Sequence, residues 1–240
     1  MSREGSTIVG EIKFLCAEAL RPAIDPLIVQ FQETVGYEVA VSYANVGTIA
    51  DRLRKGEVAD LAVVSPEQWE YLRQEERLLP TMRVLLARIG IALAVRTGAA
   101  KPDVSSIVAL RQSLLSARSI VIIDPAKGSP SGVRAIRLFE QLGIATEVRP
   151  KMKLVAASED VFKVLASGEA DLGFNQASEV CASPAVESAG PLPSEVRQYT
   201  LFVAGIPMTA RHAGVAGKLV EFLLSPPAAA LFKTKEIDVV

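Results

Sequence analysis

The chain has 240 residues, half of them hydrophobic but only 5% aromatic, with 26 Lys and Arg against 27 Asp and Glu. That length suffices for one large domain or for two lobes of about a hundred residues each, and the aliphatic-rich composition points to an α/β protein. The near-neutral balance, without a basic stripe, excludes a nucleic-acid backbone as partner, and no stretch approaches the roughly 20 apolar residues that a membrane-spanning helix needs.

Short apolar strands alternate with helical patterns along the chain, as in a parallel-sheet α/β architecture. The first residues, MSREGSTIVGEIKFLCAEAL, lack a basic region followed by a sustained apolar run, because Gly10, Glu11, Lys13 and Glu18 interrupt it. Two readings stay open: the chain acts in the cytoplasm, or an export signal has been removed and it acts in the periplasm. A strand over 11–17 leads to a helix over 21–34, with Pro22 suited to its first turn and Gly36 to its end. The strand YEVAVSYA follows. The turn Asn45-Val46-Gly47-Thr48 then opens a helix over 49–55, with Asn45 or Thr48 as its cap.

Two phrases repeat. LRKGEVADLAVV (53–64) and LASGEADLGFN (165–175) both read as helix end, glycine cap, Glu, then Asp60 or Asp171 entering an apolar strand. A polar turn opens a helix before each, so one supersecondary unit is expected in each of two lobes, with both aspartates orienting loops. Between the copies, IVIIDPAKGSPSGVRAIRLFEQLG (120–143) runs from a strand through a turn of small residues into an amphipathic helix. A helix start of this kind leaves backbone N–H groups open to an anion. The strand-like runs at 88–106 and 195–208 read as two crossings, giving lobes of 1–88 with 203–240, and of 89–202. Near the C-terminus, Pro226 and Pro227 break the closing helix.

Several chemistries find no support. The single histidine, His212, reads as a surface helix start, with neither a triad nor a metal cluster to join. GSPSG has Pro130 where a nucleophile elbow needs Ser, and no nucleotide-binding glycine motif occurs. No cofactor and no metal are expected. Cys16 and Cys181 form no CxxC pair and read as two buried, reduced thiols.

The order of FLCAEALRPAIDPLIVQF, VSYANVGTIADRLRKGEVADLAVVS, IIDPAKGSPSGVRAIRLFEQLGI, SEDVFKVLASGEADLGF and LVEFLLSPPAAALF resembles the type II periplasmic solute-binding proteins, in particular their molybdate-binding branch. The resemblance implies a two-lobed α/β fold, each lobe a mostly parallel sheet flanked by helices, with a small anion in a cleft between them. It implies an ABC transporter membrane component as partner and a chain that works as a monomer. It also extends to aconitate isomerase, an enzyme that resembles the same family.

The family's ligand residues carry over only in part. Where that branch has a serine after the first strand this chain has Ala19, where it has a Ser-Ser-Gly turn this chain has Asn45 to Thr48, and Asn175-Gln176 stands where a tyrosine is usual. The Asp-Pro and the following Pro-Ser-Gly turn remain, at Asp124-Pro125 and Pro130-Ser131-Gly132. A tetrahedral dianion needs convergent donors on most of its oxygens, and each buried oxygen left unpaired costs about 1 to 3 kcal/mol. The expected ligand is therefore an organic carboxylate rather than molybdate, held by Ala19, Arg21, Asn45, Gly47, Thr48, Ser129, Ser131, Gly132, Ser158 and Gln176, with Arg21 as a bidentate partner. If the chain is an enzyme, an isomerase of the aconitate isomerase type is the expectation, with Glu18, Lys127 and Glu179 as candidate proton-transfer groups. A cytoplasmic ligand sensor is the third reading.

Overall fold

The computed structural model describes residues 10–240, so Met1 to Val9, on which part of the N-terminal reading rests, lie outside the described residues. The chain forms two compact units. The first comprises the described residues up to Arg88 with Leu201–Thr234 and Asp238–Val240; the second comprises Ile89–Thr200 and Lys235–Ile237.

In the first unit, β1 (Gly10–Ala17) passes through a tight turn, Glu18–Leu20, into α1 (Arg21–Val35). Gly36, at φ 68°, ends that helix in the left-handed conformation that favours glycine. Then come β2 (Tyr37–Ala44), α2 (Val46–Arg54), β3 (Leu61–Val64) and α3 (Pro66–Gln74). The expected start of α2 at residue 49 moves back three residues, because Asn45 caps the helix: its side-chain oxygen accepts the Thr48 N–H at 2.8 Å. Strands β2, β1 and β3 pair in parallel. Leu15, Ile49, Leu53, Val64, Trp69, Leu72 and Val203 pack into one core.

Strand β4 (Val84–Arg96) carries the chain across the boundary between the units. The second unit continues with α4 (Ile107–Ser116), β5 (Ile120–Ile123), α5 (Pro130–Gln141), α6 (Ala145–Val148) and β6 (Met152–Val155). It closes with α7 (Ser158–Ala166), β7 (Leu172–Gln176), α8 (Ala177–Ala182) and β8 (Val186–Ser188). Strands β6, β5 and β7 are parallel, while β4 runs antiparallel to β7 and β8. All four residues of β5 are buried, and apolar clusters lie on both sides of the sheet.

The return crossing is β9 (Tyr199–Gly205), antiparallel to β3. Helices α9 (Ala213–Leu223) and α10 (Pro226–Thr234) are separated by the break that the paired prolines predict, and β10 (Ile237–Val239) ends the chain. Phe222 of α9 meets Phe31 of α1, ring centroids 5.5 Å apart. Among the described residues no single helix is long and apolar enough to cross a membrane.

The repeat is real at the level of single bonds. Gly56 and Gly168 both end helices at positive φ. Asp60 accepts the backbone N–H of Lys13, in the neighbouring strand, at 2.9 Å; Asp171 accepts that of Arg118, just before the neighbouring strand, at 2.8 Å. The reading of two buried thiols is corrected. Cys16 is buried, but Cys181 is exposed, because the short helix α8 turns Val180 inward in its place.

Candidate functional site

In the first unit, two groups of residues stand at the C-terminal ends of the parallel strands. Beyond β1, Ala19 is buried in the tight turn, and Arg21 heads α1. The guanidinium of Arg21 lies 4.4 Å from the centre of the Tyr43 ring and pairs with Glu18, Nη1 to Oε1 at 3.3 Å and Nη2 to Oε2 at 3.4 Å. The Tyr43 hydroxyl donates to Asp25 Oδ1 at 2.5 Å. Burial, followed by that carboxylate, pushes the phenol well above its ordinary pKa, so Tyr43 stays a neutral donor. Beyond β2, Asn45 commits its side-chain oxygen to the helix cap, Gly47 lies in the first turn of α2, and Thr48 is exposed.

In the second unit, Asp124 caps the tight turn Pro125–Lys127 by accepting the Ala126 N–H at 3.0 Å, with Lys127 exposed. Ser129 occupies the capping position of α5 without using its hydroxyl there. Instead its Oγ lies 3.0 Å from that of Ser131, both residues being buried. Gly132 brings the start of α5 hard against β5: a Cβ at this position would lie 2.1 Å from the Ile123 carbonyl oxygen. A side chain here would displace the two serines.

At the end of β7, Asn175 and Gln176 are both buried. Gln176 donates through Nε2 to Thr200 Oγ1 at 2.8 Å, and Asn175 Oδ1 accepts the backbone N–H of Gln176 at 2.9 Å. That leaves Asn175 Nδ2 and Gln176 Oε1 without hydrogen-bond partners. Such atoms are uncommon in a folded interior, and each is a group that a bound molecule can satisfy. Ser158 heads α7, half-buried, and Glu179 is half-buried on α8. Among the described residues no group of three or more His, Cys, Asp or Glu is arranged to hold a metal ion.

The first unit thus brings Glu18 and Arg21 together, and Asn45 with Thr48; the second brings Ser129 to Ser131. Sequence reading missed Tyr43, Asp25 and Thr200. Tyr43 carried a signal, as an aromatic residue two positions before the capping Asn45. Asp25 and Thr200 carried none, because their partners lie 18 and 24 residues away in sequence.

A family model for the bacterial extracellular solute-binding proteins matches residues 12–235, which takes in every candidate site residue. The chain belongs to this family. Among its relatives, aconitate isomerase of Pseudomonas sp. is 34% identical over 182 residues, covering 75% of this chain and 68% of the relative. The molybdate-binding protein ModA of Escherichia coli (strain K12) is 25% identical over 229 residues, covering 93% of this chain and 87% of the relative. Among solved structures, the periplasmic molybdate-binding protein of Azotobacter vinelandii matches the fold with a TM-score of 0.76. Its identity is 21%, over 95% of this chain and 98% of that one. Membership in the solute-binding family gives the polar strand ends a context, since ligands of open α/β sheets bind beyond the carboxyl ends of strands.

Proposed function

We propose that this solute-binding protein captures a small organic acid outside the cytoplasm and delivers it, as a monomer, to an ABC-type membrane transporter. The observation that carries the carboxylate reading is Arg21. It is a guanidinium resting on the Tyr43 ring and already facing one carboxylate, that of Glu18, and its planar fork matches a carboxylate better than a tetrahedral oxyanion. Gln176 adds a second argument. Its free oxygen is an acceptor and suits a hydroxyl or protonated carboxyl group, which molybdate or sulfate in its dianionic form does not offer. Candidate contacts are Arg21, Asn45, Thr48 and the Ala19 and Gly47 backbone on the first unit, and Ser129, Ser131, Gly132, Ser158 and Gln176 on the second. Titration calorimetry with citrate, cis-aconitate, trans-aconitate, molybdate, tungstate and sulfate tests this. Tight binding of molybdate with inert tricarboxylates overturns it.

The likeness to aconitate isomerase favours a second reading, in which the chain moves a proton and a double bond within a tricarboxylate. Such a shift needs a base close to the carbon acid and donors for the developing charge. Glu18, Lys127 and Glu179 remain its candidates. Incubation with trans-aconitate in deuterated water tests it: isomerised or deuterated product supports the enzyme, and unchanged substrate excludes it.

A further inference from the structure

We infer that Glu18 is an internal stand-in for the ligand's carboxylate, occupying the fork of Arg21 until a carboxylate from solution replaces it; this rests on the organic-acid reading above. The two terminal nitrogens of Arg21 face the two oxygens of Glu18 one to one. That is the side-by-side arrangement by which an arginine recognises any carboxylate. At 3.3 and 3.4 Å, however, the contacts are looser than charge-assisted bonds of about 2.7 to 2.9 Å. Elsewhere in the same unit Arg52 and Arg73 hold Glu57 and Glu70 at 2.5 Å, and even Arg54 meets Glu75 at 3.0 Å and Asp51 at 3.2 Å. Arg21 and Glu18 also keep 47% and 38% of their side-chain surface in solvent, so the pairing is easily exchanged.

Glu18 is not what orients the guanidinium. Tyr43 lies beneath it, and the hydrogen bond to Asp25 fixes Tyr43 in turn. Arg21 is thereby held ready, its flat face engaged and its hydrogen-bonding edge only lightly occupied, which spares the ligand the cost of ordering it. Tyr43 is a positioning residue in this scheme.

Calorimetric titration of citrate and trans-aconitate into the wild type, Glu18→Gln, Arg21→Gln, the double variant, Tyr43→Phe and Tyr43→Leu tests the inference. Removing the competing carboxylate in Glu18→Gln is expected to tighten binding roughly two- to five-fold, the scale of one exposed ion pair. Arg21→Gln weakens it at least about ten-fold, the loss of a charge-assisted bidentate contact. The gain from Glu18→Gln disappears in the double variant, and Tyr43→Phe, which keeps the ring but loses the bond to Asp25, binds more weakly than the wild type and more tightly than Tyr43→Leu. Unchanged or weaker binding by Glu18→Gln, or a gain that persists without Arg21, overturns the inference while a wild type that binds carboxylates leaves the organic-acid reading standing. A wild type that binds neither acid overturns that reading, and the inference with it.

Discussion

Asp60 shows how one buried carboxylate can hold a unit together. Besides Lys13 of β1, it accepts the backbone N–H groups of Arg211 and His212 at 2.7 and 2.8 Å, tying the loop before α9 to the sheet. Asp60→Ala leaves three N–H groups without their acceptor, and unfolding in urea should show a loss of about 2 to 4 kcal/mol. His212, expected on a surface helix start, is indeed the residue before α9, and its ring meets that of Tyr37 at 5.6 Å between centroids. A weaker and pH-dependent contribution comes from Glu57. The Arg52 guanidinium holds its carboxyl below the usual carboxylate range. With the folded value depressed, the contribution is present above the ordinary Glu value of about 4.3 and is lost as pH falls below it. Both side chains are partly in solvent, so the effect stays below about 1 kcal/mol, and Glu57→Gln should flatten the acid limb of the stability profile by no more than that.

At the scale of elements, α5 is where packing and the candidate site depend on each other most directly. Gly132→Ala forces its methyl group toward the Ile123 carbonyl, so either α5 or β5 must shift. We expect a loss of about 2 kcal/mol or more in thermal or chemical unfolding, with weaker ligand binding because Ser129 and Ser131 move with the helix. Much of this element order was legible in the sequence, and for physical reasons. Alternating apolar strands, glycine helix ends and the duplicated Gly-Glu-Asp phrase are local signals, and the Asp60 and Asp171 bonds give them matching roles. The start of α2 was misplaced because Asn45 and Thr48 are both competent caps, and only backbone geometry chooses between them. The Arg21, Tyr43 and Asp25 group was half legible. Arg21 stood out beside the first strand, but its aromatic platform comes from β2, whose register against β1 sets Tyr43 opposite Cys16.

For the whole molecule, ligand binding should be readable as stability. A ligand present at 100 times its Kd adds about 2.7 kcal/mol, so the organic acid that belongs to this chain should raise its melting temperature in a screen where weaker anions leave it nearly unchanged. The two thiols offer a second readout. Cys16 is buried, and its burial, together with the nearby Asp25 and Glu18 charges, raises its pKa well above the usual thiol value, which keeps it protonated and slow to react. Cys181 is exposed, five positions beyond Gln176. A maleimide dye should therefore attach at a single place on the native protein, on the helix α8 that follows the buried amides. The wild-type chain can then serve as its own fluorescent reporter, without a cysteine being added or removed.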